Sequence, residues 1–147
     1  MVDGNGVQLP WLLCRAGPHL CALPLEQILE VMRPLPTEAL ADAPPFVRGV
    51  AVIRGAPVPV IDLARLLGHS KAALTRYVTV RAGGDRILAL AVGEVLGLKR
   101  DDEAGTRTMV PLMREAAQES VAAIGALDSE ALLFLTTLRL LPEGKAA

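Results

Sequence analysis

The sequence predicts an all-β chain with short helices, built as two copies of a small five-strand unit. Three observations carry this: short apolar runs closely punctuated by Gly, Pro and Asp, a central stretch that reads as a hairpin, and an internal repeat. Short strands at this spacing favour barrels over open sheets. At 147 residues the chain fits one domain or two small lobes, and each unit alone is too small to bury much, so the two are expected to share a seam.

Residues 1–8 read as a lead-in. Trp11 to Arg15 is expected as a strand, Ala16-Gly17-Pro18 as a turn, and His19 to Leu25 as a second strand with Pro24 at its end or on an edge. Glu26 to Met32 suits a helical turn or a strand; Pro34 and Pro36 forbid a long helix and favour a bend into a strand. Residues 33–46 are a proline-rich connection with one short helical turn expected near Thr37 to Leu40.

The chain centres on Val47-Arg48-Gly49-Val50-Ala51-Val52-Ile53-Arg54-Gly55-Ala56-Pro57-Val58-Pro59-Val60-Ile61-Asp62-Leu63. It reads as strands Val50 to Arg54 and Pro57 to Ile61 joined at Gly55-Ala56, with both faces largely apolar. Pro57 and Pro59 remove two donors from one strand side, which places that side at a sheet margin or a bulge. Asp62 caps a short helix, Leu63 to Leu67, which Gly68 stops.

After the link His69 to Ala73, Leu74 to Ala82 alternates as a strand, with Tyr77, Thr79 and Arg81 on one face. Gly83-Gly84-Asp85 supplies a hairpin turn, Arg86 to Val92 returns as an apolar strand, and Leu96 and Leu98 continue the pattern. Residues 99–119 read as a long loop with a helical turn at Met113 to Gln118. A last hairpin, Ser120 to Leu127 and Glu130 to Leu135, turns at Asp128-Ser129, and Thr136 to Leu141 closes as a short helix. The stretch Gly17 to Val31 aligns without a gap with Gly84 to Leu98, 67 residues on; Val50 to Leu67 aligns with Ile124 to Leu141, 74 residues on.

Composition narrows function. Hydrophobic residues make up 52% and charged ones 21%, enough apolar material for a core. Net charge is −1 with scattered Lys and Arg, and aromatics are 3%, so no nucleic-acid footprint is visible. Met1-Val2-Asp3-Gly4 lacks a signal-peptide pattern, and the apolar run Ile87 to Val92 is far short of the roughly 20 residues of a membrane span; a cytoplasmic protein without membrane insertion is expected. Cys14 and Cys21 lie on two arms of one hairpin and are expected as buried, reduced thiols. His19 and His69 have no Cys, Asp or second His at ligand spacing, so neither a metal site nor another cofactor is expected. Ser70 and Ser120 lack a nucleophile motif, and no phosphate loop or carboxylate pair appears. A Cys14 nucleophile with His19 as base is the one enzyme or redox-sensor alternative, and no catalytic residue is assigned.

The central pattern from Val47 to Leu63, with its Arg-Gly step, the proline before the last strand and the closing Asp-Leu, resembles the signature hairpin of the CheW-like family of chemotaxis coupling proteins. The resemblance runs over about 9–141 and is strongest through residue 68. It implies two five-stranded SH3-like β-barrel subdomains within a single domain, with lobes of about 9–70 and 71–141 whose strands can be exchanged. It further implies a non-enzymatic scaffold in bacterial chemosensory signal transduction. Such an adaptor links chemoreceptor cytoplasmic helices to the regulatory domain of a CheA-type histidine kinase, at receptor clusters.

Positions matching the family's partner-contact segments are Ile28, Glu30 and Val31 on the third strand and Arg54 with Gly55 in the signature; Val95 and Leu96 are the repeat equivalents of Ile28 and Leu29. For all but Val31 and Gly55 a plainer role stands beside this one. Arg54 suits a surface arginine beside a turn, Glu30 a solvated charge, and Ile28, Leu29, Val95 and Leu96 ordinary core. The second half departs from the family: Val92-Gly93-Glu94-Val95 lacks the usual acid at Gly93, and Leu132 to Thr137 lacks the aspartate before the helix, although Pro111 matches. An adaptor that binds receptor but has lost kinase coupling is therefore the alternative.

Overall fold

Alternation along the strands decides the layers. In β1 (Trp11–Ala16) the side chains of Trp11 and Leu13 join one apolar cluster, and those of Leu12, Cys14 and Ala16 join another. The computed structural model describes residues 10–69, 71–100, 121–127 and 130–135. The strands that follow are β2 (His19–Pro24), β3 (Ile28–Met32), β4 (Val47–Ile53), β5 (Ala56–Asp62), β6 (Arg76–Arg81), β7 (Ile87–Val92), β8 (Glu94–Lys99), β9 (Val121–Leu127) and β10 (Glu130–Leu135). A single 3-10 turn, Leu25–Gln27, leads into β3, and α1 (Leu63–Leu66) follows β5.

Two five-stranded sheets result, ordered β8-β1-β2-β10-β9 and β3-β6-β7-β5-β4. Each takes two strands from one repeat unit and three from the other. Their facing sides meet in one large core, built from Leu12, Cys14, Leu23, Leu63, Val78 and Leu90 among others. The opposite face of the first sheet closes over Trp11, Leu20 and Phe134, and that of the second over Ile53, Val60 and Tyr77. Strands buried on both faces read as nearly continuous apolar runs, which is why β2 and β7 show so little polar alternation.

The repeat survives in fine detail. Shifted by 74 residues, β4 coincides with β9. The register shift at Ile28/Glu30 in β3 has its image at Val95/Gly97 in β8, opposite Cys14/Leu13. The parallel pair Val60 with Ala89 is likewise the image of Phe134 with Ala22. Asp62 caps α1 as expected, accepting the Arg65 N–H at 3.1 Å, and Gly68 ends it at φ +97°.

Three expectations need correction. The hairpin turn is Arg54-Gly55, closed by Ile53 opposite Ala56, so Arg54 is not the last residue of a strand. Thr37 to Leu40 is not a helical turn, because Glu38 makes a bridge with Val50 instead. β5 is not a sheet margin, since it lies between β7 and β4. Its prolines are tolerated because the parallel ladder to β7 begins only at Val60, and Val50, opposite Pro59, turns its own backbone groups away to Glu38. The helical turns expected at Met113 to Gln118 and Thr136 to Leu141, and the turn at Asp128-Ser129, lie outside the described residues.

Candidate partner-binding surface

The Arg54-Gly55 turn has positive φ at both residues, +52° and +81°. A two-residue hairpin loop with this pattern matches the twist of its strands and is usually Asn-Gly or Gly-Gly. An arginine there bears backbone strain.

The strained residue has a fixed partner. Arg54 donates from Nε to Glu30 Oε1 at 3.1 Å and from Nη2 to Oε2 at 2.7 Å. These bonds hold the Glu30 carboxyl below its usual range. Glu30 lies on β3, one margin of the second sheet, and the arginine is on the turn leading from β4, the other margin. The ion pair therefore spans the two ends of a sheet that curls on itself. Glu30 is in turn fixed through its backbone: its N–H donates to Thr79 Oγ1 at 3.1 Å, and the Thr79 hydroxyl donates back to its carbonyl at 3.3 Å. This satisfies the buried Thr79 hydroxyl beside the β3 bulge.

A groove of about 440 Å³ opens here, lined by Leu29, Glu30, Arg54, Val58, Thr79 and Ile87 among others. Leu29 and Ile87 are 41% and 39% exposed, so the charged clasp has apolar flanks. Sequence reasoning missed Thr79 and Ile87: neither carries a motif, and it is the β3–β6 pairing that sets Thr79 opposite Glu30 and the β6–β7 pairing that brings Ile87 into the same groove.

The remaining candidates separate. Val31 is exposed on β3, and Gly55 is open to solvent at the turn. Ile28 and Val95 are half-buried and pack against the shared core. Leu96, the repeat image of Leu29, is exposed on β8 in the other sheet, and neither it nor Val95 lines this groove. The clasp has no image in the second unit, where Gly97 stands for Glu30 and Asp128 for Arg54. Gly93, the position of the missing acid, sits against backbone: its N–H donates to the Arg15 carbonyl at 2.8 Å and its own carbonyl accepts the Thr75 hydroxyl. A Cβ there would stand 3.3 Å from two carbonyl oxygens, those of Ala73 and Arg15.

Two other clusters bear on chemistry. Cys14 and Cys21 face each other across β1 and β2 as free, buried thiols. Burial pushes Cys14 up to about 12 and Cys21 well above its usual value. Since the thiolate is the nucleophile, this environment argues against the cysteine-enzyme alternative. His19 and His69, distant in the chain, meet with their Nε2 atoms 2.9 Å apart. Burial, then the neighbouring His69, lowers the His19 pKa. Among the described residues no helix is long and apolar enough to cross a membrane.

The family described as CheW-like domain matches residues 10–145. Protein FrzA of Myxococcus xanthus is 33% identical over 88 residues, covering 58% of this chain and 55% of that protein, so the chain matches about half of that relative's length. The crystal structure of scaffolding protein TtCheW from Thermoanaerobacter tengcongensis matches with a TM-score of 0.74, covering 88% of this chain and 90% of that one. At 18% identity this likeness speaks for the fold.

Proposed function

This chain belongs to the CheW-like domain family, and from that premise we propose that it is a non-enzymatic adaptor of a bacterial chemosensory pathway. In this reading residues 9–141 act as one domain with lobes of about 9–70 and 71–141 that exchange strands. It works in the cytoplasm at receptor clusters, where it joins chemoreceptor cytoplasmic helices to the regulatory domain of a CheA-type histidine kinase. The observation that carries the reading is the Arg54–Glu30 clasp between exposed Leu29 and Ile87. An arginine held in a fixed orientation beside apolar side chains is the usual make-up of an interface centre. Ile28 supports it from the same strand by setting the β3 edge against the core, whereas Val95 and Leu96 stand at the equivalent place on β8 in the other sheet, apart from the clasp.

A second reading, an adaptor that binds receptor without coupling to kinase, is favoured by one observation. The second unit carries Gly97 and Asp128 where the first carries Glu30 and Arg54, so only one of two equivalent edges bears the clasp.

Titration calorimetry of the chain against the kinase regulatory domain separates the two. Full coupling predicts micromolar binding that Arg54→Ala weakens at least about tenfold, as loss of an interface centre does. Absence of heat with folded protein, alongside binding to receptor helices, overturns coupling and selects the second reading.

A further inference from the structure

His19 and His69 take no part in the surface above. We propose that they form a two-nitrogen binding site for a divalent transition-metal ion of the copper(II) class.

Two tight backbone features bring the pair together. His19 opens β2 directly after the turn at Gly17, whose φ is +60°. His69 follows Gly68 at the end of α1, and its N–H donates to the Ala64 carbonyl at 2.9 Å. The two segments press close, since a Cβ on Gly17 would lie 3.4 Å from the His69 Cβ. Both rings are half-buried and reachable from solvent. Their centroids are 4.7 Å apart at 63°, so they meet by their edges at Nε2 rather than stacking.

The spacing admits such an ion, and the preference of imidazole selects it. Two nitrogens bound at about 2.0 Å and at a right angle lie about 2.8 Å apart, the arrangement tetragonal copper(II) or nickel(II) prefers. A tetrahedral zinc would hold them about 3.3 Å apart. The observed 2.9 Å is that of a shared N–H···N hydrogen bond, and the first arrangement fits it with little ring movement. Of the first-row divalent ions copper(II) binds imidazole most tightly. Among the described residues no third His, Cys, Asp or Glu completes a cluster, so the proposed site rests on the two imidazoles. Without metal the two rings share one hydrogen bond; on binding, the donor ring carries its proton on Nδ1 and both Nε2 lone pairs go to the ion. The ion then ties the first hairpin to α1, whose Leu63, Ala64 and Leu66 lie in the shared core.

The test is a copper(II) chloride titration of the full chain, free of any polyhistidine tag, in a non-coordinating buffer. Electron paramagnetic resonance and thermal unfolding are read together. The expected result is a two-imidazole signature and a rise in Tm. Either His19→Gln or His69→Gln, each first shown to be folded by circular dichroism, is expected to abolish the Tm rise and weaken binding at least about tenfold, as even outer-sphere losses do. A signal from one imidazole, affinity unchanged in both variants, or no ion taken up at micromolar concentration overturns the proposal.

Discussion

Val50 and Glu38 exchange backbone hydrogen bonds, N–H of Val50 to the Glu38 carbonyl at 2.8 Å and N–H of Glu38 to the Val50 carbonyl at 2.9 Å. This bridge covers the outer edge of β4 and draws Gly49 onto the crossing chain. A Cβ at Gly49 would stand 2.1 Å from the Glu38 oxygen, and its φ of +143° is already poor for any other residue. Gly49→Ala is therefore expected to cost about 3 kcal/mol or more in urea unfolding, since backbone, not a flexible side chain, must move. Gly55→Ala is the control: its φ is +81° with nothing within 4 Å, so only backbone strain of roughly 1–2 kcal/mol applies. Equal losses in the two variants would refute the close-approach argument.

Arg54 separates stability from function. Arg54→Asn places in the turn a residue that accepts positive φ, while removing an exposed ion pair of small net effect. Stability is expected to hold or rise, and affinity for the kinase regulatory domain to fall as far as in Arg54→Ala. Loss of thermal stability in Arg54→Asn would mean that the clasp holds the sheet closed.

The two bulges predict opposite behaviour from neighbouring residues. Ile28→Ala and Val95→Ala remove half-buried side chains from the shared core and are expected to cost about 1–2 kcal/mol each. Leu29→Ala and Leu96→Ala, at 41% and 45% exposure, should change unfolding by no more than about 0.5 kcal/mol. Of these two, Leu29→Ala is the one expected to weaken partner binding. Parallel unfolding and binding titrations read both effects.

Much of this arrangement was legible in the residues, because period, turn chemistry and repeat all agreed. The Asp62 cap, the Gly83-Gly84 turn and the last two strands follow from local rules. The misplaced turn arose because only Gly55 demands positive φ in Arg54-Gly55, whereas the observed turn imposes it on Arg54 as well. Thr37 to Leu40 has modest helical propensity, and pairing of Glu38 with Val50 overrides it. Ile28 and Leu29 could not be told apart because a bulge, invisible in composition, reverses which of two adjacent apolar residues faces inward. The His19–His69 contact depends on packing between a hairpin turn and a helix end, which no spacing rule reaches.

Acid should act through two carboxylates. The hydrogen bonds from Arg54 to Glu30 and from Arg15 to Glu130 hold both below the ordinary value of 4.5. A carboxyl depressed in the folded state stabilises above its unfolded pKa, and that contribution disappears as pH falls through the folded value. Urea midpoints measured from pH 6 down to pH 3 should therefore fall more steeply for the wild type than for the Glu30→Gln/Glu130→Gln double variant. High salt should narrow the difference, since both pairs are partly exposed. Superimposable pH profiles would remove these pairs from the account.

Alkali should act through the thiols, with the opposite sign. Cys14 is pushed up to about 12 by burial, and Cys21 moves the same way. A thiol raised in the folded state keeps its proton there after the unfolded chain has lost it. The resulting stabilisation is complete below the unfolded value near 9.0 and is lost as pH rises toward 12. Stability is therefore expected to decline above about pH 9, and Cys14→Ala should flatten that decline while itself costing little volume. Below pH 9 neither thiol should react with iodoacetamide unless the protein unfolds, because both lie within the seam between the sheets. Labelling of Cys14 in the native protein at neutral pH, faster than global unfolding, would contradict the burial argument and reopen a cysteine-based chemistry.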